Sequence, residues 1–379
     1  MIAIGLMSGT SLDGVDASLV KIEDEKFSLI KFVTLPYSNE FKNRIMRNLC
    51  DETAKLSEIC SLNFELGDKF VEAIDLLLKG TNYNYSAIDF IASHGQTIWH
   101  NPHQKKDLVP STMQIGEPAI IANRTGIKTI SNFRTADIAV GGEGAPLVPM
   151  SEYMLFRNDE KNIILQNIGG VSNLTYLKKG GTIDSVVAFD CGPGNIMIDY
   201  FTNKYFDMPY DQDGEIALRG NVIKEIFNEL IKDEFVLKVP PKSTGREQYS
   251  RFYMEEIAYK YRFSEYRKED IIATITEFTV YGICYNYLNY IKDFDEVIVS
   301  GGGSHNKYII KRMKETLQKN VFTQEDIGFN SDAKEAIAFV VLGYLTIKGK
   351  TGNVCSATGA KKGAILGCIT PAKESDLKG

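Results

Sequence analysis

Residues 1–22, MIAIGLMSGTSLDGVDASLVKI, decide the fold, because their pattern returns at residues 162–177 as NIILQNIGGVSNLTYL. In the first stretch residues 1–7 are apolar, residues 8–11 have turn chemistry and residues 15–22 alternate as a strand does. A charged turn leads into a third strand over 27–35. In the second stretch 162–168 is apolar, 169–173 is a small-residue turn and 174–177 continues as a strand. Residues 178–181 then turn, and 183–189 reads as a third strand. Each half is therefore strand, Gly/Ser turn, strand, turn, strand, which marks an internal duplication. A Rossmann start is excluded, since there a helix follows the glycine turn directly. Two such units predict two lobes with a central cleft, their Gly/Ser turns facing each other across it.

Between these stretches the apolar spacing predicts helices over 39–49 and 52–79. Residues 332–335 (DAKE) resemble a capping box before an apolar helix that ends near Gly349. A β-branched strand over 297–299 runs into 300–304 (SGGGS), with a helix-like stretch over 306–317. The crossing between lobes is expected at 141–149 (GGEGAPLVP). The domains expected are thus an N-terminal lobe over 1–140, with 368–379 as a candidate addition, and a C-terminal lobe over 141–367.

The 379 residues carry 44% hydrophobic and 24% charged side chains, ordinary for a globular protein, and a net charge of -6. That balance opposes broad binding to nucleic acid. The six cysteines are scattered without a CxxC, which speaks for reduced thiols rather than disulfides or a structural zinc site. No signal-peptide pattern opens the chain, and the longest apolar stretch, 336–347, is too short to span a bilayer. The expectation is a cytoplasmic protein with no membrane partner.

Five segments carry chemistry. In 9–14 (GTSLDG), backbone N–H groups of a tight turn between strands make a concave anion site, and Asp13 suits a Mg²⁺ bridging phosphates. Residues 167–173 (NIGGVSN) repeat that turn at the matching place, so Gly169, Gly170 and Asn173 are read with it as two jaws on one triphosphate. Gly301, Gly302 and Gly303 would let a flat adenine ring pass close to the backbone. Asp190 is read at the end of a core strand, before a Gly-Pro-Gly turn, where a carboxylate can serve as general base. His94, Gln96, Glu117, Arg134 and Asp137 are polar groups near strand ends of the first lobe, suited to a sugar. Residues 210–214 (YDQDG), 240–247 (PPKSTGRE) and 356–359 (SATG) are assigned capping or turn roles.

The ordered strings GLMSGTSLDGVDA, ASHGQT, QIGEPA, FRTADIAVGGEGAPLVP, NIGGVSNLT, FDCGPGN, YDQDG, PPKSTGRE, VSGGGSHN, DAKEA and SATGA resemble the anhydro-N-acetylmuramic acid kinases, from Gly5 to about Gly367. The resemblance implies an α/β, two-lobed actin-like ATPase fold, a duplicated ribonuclease H-like unit. It implies ATP and Mg²⁺ as cofactors, a 1,6-anhydrosugar as small-molecule partner, and a homodimer. It places Gly9, Thr10, Ser11, Leu12, Asp13, Gly14, Val15 and Asp16 on the ATP phosphates. Gly169, Gly170, Asn173, Gly301, Gly302 and Gly303 become further nucleotide contacts, and Asp190 becomes the base that activates water. The chain departs from the family pattern at Cys191, where Thr is expected, and at Glu143, where Gln is expected.

Two other readings keep part of this chemistry. A levoglucosan kinase would share the fold and change the sugar. A non-catalytic actin-like ATP-binding module would need the glycine loops but neither Asp190 nor the polar set of the first lobe.

Overall fold

The computed structural model describes every residue except Thr10, Lys106, Arg246, Glu247, Glu374, Ser375, Leu377, Lys378 and Gly379. Two compact units divide the chain, one of Met1–Leu155 with Asp332–Gly379 and the other of Phe156–Ser331.

The first unit opens with the expected meander, β1 (Ile2–Ser8), β2 (Gly14–Glu23) and β3 (Lys26–Pro36), followed by β4 (Phe90–Asn101), β5 (Ser111–Ile115) and β6 (Thr129–Ser131). β2 pairs antiparallel with both β1 and β3, whereas β4 runs parallel to β1 and β6 parallel to β4. The strand Cys368–Thr370 closes the far edge beside β6, and β5 pairs with the end of β4.

In the second unit β7 (Ile163–Ile168), β8 (Val171–Leu177) and β9 (Val187–Pro193) form the meander, and β10 (Glu296–Ser300) and β11 (Asn320–Thr323) extend it in parallel. Third-second-first-fourth-fifth is thus the strand order of both units. The duplication seen in the hairpins extends to whole sheets, with β6 as the fifth strand of the first. This is the duplicated ribonuclease H-like architecture of actin-like ATPases.

Helices cover the sheets because the strands are apolar on both faces. Helix Leu56–Leu78 buries Leu62, Leu66, Phe70, Ile74 and Leu77 at helical spacing, in one core with Ile4 and Leu6 of β1 and Leu19 of β2. Residues alternate along β1, so Gly5 faces the other way. A Cβ there would lie 1.9 Å from the Ala336 carbonyl oxygen, on helix Lys334–Ile347. In the second unit, helix Lys268–Asn286 buries Ile271, Ile275, Phe278 and Ile283 in a core shared with β7, β9 and β10.

Several expectations shift. The units divide at 155/156 and 331/332, not at 140/141 and 367/368. Residues 142–144 are tied to Asp137, and helix Lys334–Ile347 packs on β1 and β4 of the first unit. That helix starts with Ala333 at its N-cap and no side-chain cap bond, so the box expected over 332–335 is not formed at its start. Residues 183–185 make a 3₁₀ turn, and β9 begins only at Val187, which leaves Asp190 in mid-strand. All six cysteines are free thiols. Among the described residues no helix is long and apolar enough to cross a membrane.

Candidate active site

In the first unit the turn after β1 is shaped by its own backbone. Leu12 adopts a left-handed φ of 56°, unusual for a side chain of its size, and its N–H donates to the Gly9 carbonyl. Leu12 and Val15 send their side chains into the core, so only their backbone can serve a ligand. Beneath the turn the buried Ser8 Oγ donates to Gln96 Oε1 at 2.6 Å, while the Tyr37 hydroxyl donates to Ser8 at 2.7 Å. A Cβ at Gly9 would meet only Ser11 Oγ, 3.8 Å away, so this backbone stays approachable. Gly14 has a different reason to be glycine, since a Cβ there would sit 2.2 Å from the Leu35 carbonyl oxygen. Thr10 lies outside the described residues.

Asp13 is exposed, and its carboxylate is held below the usual range by Ser11 and then by Lys42, which lies 3.2 Å from it. Asp16 is a better candidate for a cation. It accepts from Thr34 Oγ1 at 2.6 Å, and burial, then Asp332 and Asp13, push its pKa up. Glu335 is raised too, by burial first and then by Asp16. A carboxylate raised by burial and by a neighbouring carboxylate is relieved by a divalent ion. Among the described residues no group of three or more His, Cys, Asp or Glu could hold a metal, so phosphate oxygens would have to supply the other ligands.

The five residues expected on the sugar separate into two groups. Arg134 Nε donates to His94 Nε2 at 3.0 Å, which makes Nδ1, 3.0 Å from the Gly95 carbonyl oxygen, the protonated nitrogen. Burial, then the Arg134 charge, depress the His94 pKa to about 3, so the ring is neutral. Arg134 Nη1 also donates to the Gly144 carbonyl at 2.8 Å. The other three are engaged internally. Gln96 is fully buried against Ser8. Glu117 caps helix Pro118–Thr125, taking the Ala119 N–H on one oxygen and Asn63 Nδ2 on the other. Asp137 is fully buried and takes the Gly144 N–H, Asn353 Nδ2 and Thr358 Oγ1. With its oxygens so committed, Asp137 ties loops together and has none to offer a sugar.

In the second unit the β7–β8 turn mirrors the first. A Cβ at Gly169 would meet nothing closer than 3.7 Å. The carbonyls of this turn accept from the start of helix Ile196–Phe206: Asn195 N–H on Gly169, Gly194 and Ile196 N–H on Gly170. Register places Asn167 opposite Asn173, and Asn173 opposite Asp190, so the three lie on one face of adjacent strands. The glycine loop divides by neighbour. Gly301 has φ 80° and packs on Ile168 and Asn167, whereas a Cβ at Gly302 would have 3.5 Å to Asn195 Nδ2. Gly302 opens on a cavity of about 440 Å³ lined also by Asn195, Asp199, Tyr210, Gln212 and Asn306. Asp199 is pushed up to about 6 by burial and then by Asp211. Asp211 itself is tied to the Ile216 and Ala217 N–H groups.

Asp190 is half-buried. Its Oδ2 accepts the Thr244 N–H at 2.7 Å and its own N–H donates to the Lys242 carbonyl. Burial raises its pKa, and the Thr244 N–H, the Ser243 hydroxyl and the Lys242 charge oppose that rise. A carboxylate lifted toward the working pH, yet held by one oxygen in a fixed direction, is suited to accept a proton. Cys191, next in β9, points the opposite way. It is fully buried, its Sγ 3.8 Å from Gln166 Oε1, so this departure from the family pattern lies in the core. Glu143, the other departure, is exposed with a carboxylate oxygen 3.5 Å from His103 Nε2.

Sequence reasoning missed the partners of these groups. Within 210–214 and 240–247, read as turn segments, Tyr210 and Gln212 line the Gly302 cavity, and Ser243 and Thr244 hold Asp190. Glu335 has a part beyond the helix start, since the Asp16 charge acts on it. Nothing local marks such residues, because their partners lie tens of residues away in the chain.

A family profile described as anhydro-N-acetylmuramic acid kinase matches residues 1–372. A relative of that name from Bacillus thuringiensis is 47% identical over 98% of this chain and 99% of its own length. Another, from Caldanaerobacter subterraneus, is 46% identical over 97% and 96%. A solved dehydratase activator from Clostridium difficile covers 92% of this chain and 96% of its own, at 11% identity and a TM-score of 0.46, too slight a likeness to argue from. Near-complete coverage at this identity leaves one assignment: the chain belongs to the anhydro-N-acetylmuramic acid kinase family.

Proposed function

We propose that this protein is an ATP-dependent kinase that opens 1,6-anhydro-N-acetylmuramic acid with water and phosphorylates it to N-acetylmuramic acid 6-phosphate, a step of cell-wall sugar recycling. One observation carries the mechanism: Asp190 is half-buried, raised in pKa and aimed by the Thr244 N–H. Asp190 takes a proton from water as the water oxygen bonds the anomeric carbon. The bond from that carbon to the bridging oxygen breaks, and the freed oxygen on carbon 6 takes the γ-phosphoryl group while ADP leaves. General-base help of this kind is worth roughly a hundred- to ten-thousand-fold.

Phosphoryl transfer otherwise asks for positioning and charge neutralisation. The approachable backbone at Gly9 and Gly169 suits phosphate oxygens, and the Gly302 cavity suits the nucleoside. Asp16 and Glu335 would hold Mg²⁺. Bound there, Mg²⁺ supplies positive charge to the phosphate oxygens. Arg134 is assigned to the sugar, with the buried His94 ring as the acceptor that holds its guanidinium. In this reading the enzyme is cytoplasmic and a homodimer, on family grounds alone.

Asp190→Asn is the test. The variant is expected to keep its melting temperature and its ATP affinity, and to lose sugar-dependent ADP release by at least about a hundredfold. Near-normal turnover would remove Asp190 from the chemistry.

A further inference from the structure

We propose that Lys242 is a positioning residue for Asp190: its ammonium group pins the turn over residues 240–245 to the helix Glu234–Leu237, so that the Thr244 N–H meets the carboxylate, and its charge favours the ionised base. This rests on the reading of Asp190 as the base.

Lys242 is 5% exposed. Its Nζ donates to the Phe235 carbonyl at 2.9 Å and to the Val236 carbonyl at 2.8 Å, and it stands over the rings of Phe235 and Tyr290. Its carbonyl accepts the Asp190 N–H, and two residues on the Thr244 N–H reaches Asp190 Oδ2. One residue therefore anchors the turn at both ends, by side chain to the helix and by backbone to β9.

Carbonyls alone would be satisfied by a neutral donor. Burying an ammonium among them costs more, and its pKa falls to about 8 through that burial. What the cation adds is its field. The ionisable groups around it are Cys191 and Asp190 on β9, and Asp233 and Lys238 flanking the short helix. Asp233 is engaged elsewhere, capping the Val236 N–H at 2.8 Å and accepting from the Tyr249 hydroxyl at 3.2 Å. Cys191 is a buried thiol whose pKa burial drives up. Lys238 carries the same sign. Asp233 and Asp190 both attract the ammonium, Asp233 the more strongly, and at Asp190 the Lys242 charge acts against burial.

Lys242→Gln removes the charge and leaves an amide donor, one atom shorter, on the side of the two carbonyls. Without the charge the Asp190 carboxylate is harder to form, so the base is ionised only at higher pH. The acid limb of kcat/KM, measured with 1,6-anhydro-N-acetylmuramic acid and ATP, should move up by at least about half a pH unit. Lys242→Arg should restore it. Thr244→Pro, which deletes the N–H on Oδ2, should shift the limb the same way with Lys242 intact, and serves if Lys242→Gln does not fold. An unmoved limb with turnover within twofold of wild type, in Lys242→Gln or in Thr244→Pro, overturns the proposal. Asp190→Asn is assayed alongside. If it is inactive while the limb stays put, only the role of Lys242 is lost. If it turns over normally, the assignment of the base falls first.

Discussion

His94 shows how much a single contact fixes. The Arg134 guanidinium donates to its Nε2, so that nitrogen cannot also carry a proton, and burial takes the ring down to about pKa 3. An unfolded histidine binds a proton near pH 6.5. Below that pH the unfolded chain gains a proton that the folded chain refuses. The stability tied to His94 is therefore complete above about pH 6.5 and is lost as pH falls toward 3, in total on the order of 5 kcal/mol. Urea unfolding at pH 7 and pH 4 should show wild type losing more than His94→Asn by an amount of that order. Equal losses would mean that the ring is protonated in the fold. At this scale the sequence was half legible. His94 and Arg134 meet, a contact that no local pattern announces. Gln96, Glu117 and Asp137 look the same on paper, yet each is used inside the protein. Whether a polar side chain has spare valence depends on residues such as Asn353 and Thr358, far along the chain.

Elements were legible where a pattern repeated. Strand alternation and the two Gly/Ser turns are local signals, and β1, β2, β7 and β8 fall where they predict. β9 was harder, because it starts after a 3₁₀ turn and continues through the Gly-Pro that reads as its end. The helix Lys334–Ile347 was legible as a helix, but not its destination. Its apolar run says that it is buried and nothing in it names β1. The contact is close: a Cβ at Gly5 would be driven to 1.9 Å from the Ala336 carbonyl, a backbone atom that no rotamer change can move. Gly5→Ala is expected to destabilise the fold by about 1–3 kcal/mol, as overpacking does. Urea midpoints of the two proteins would decide it, and an unchanged midpoint would show that helix and strand separate freely.

For the whole molecule, the duplication was readable and the boundaries were not. A repeat announces that there are two sheets, but the route between them is set by which helix covers which sheet. Residues 156–331 form a continuous stretch with its own sheet and its own core. Expressed alone, that stretch should unfold cooperatively in a thermal melt followed by circular dichroism, since its buried residues find their neighbours within it. A non-cooperative melt would mean that its core needs residues from outside.

The unit built from both chain ends has a consequence for synthesis. One face of β1, made first, stays without its covering helix until residue 347 has left the ribosome, after the whole middle stretch has been translated. Between Ser8 and Ile347 lie about 340 residues, which at ~5–20 residues per second take roughly 17–70 s. For that interval a nascent apolar sheet face is uncovered, so slowing translation should raise the chain's demand for chaperones, and separating the gene at codon 332 should leave an amino-terminal product prone to aggregate.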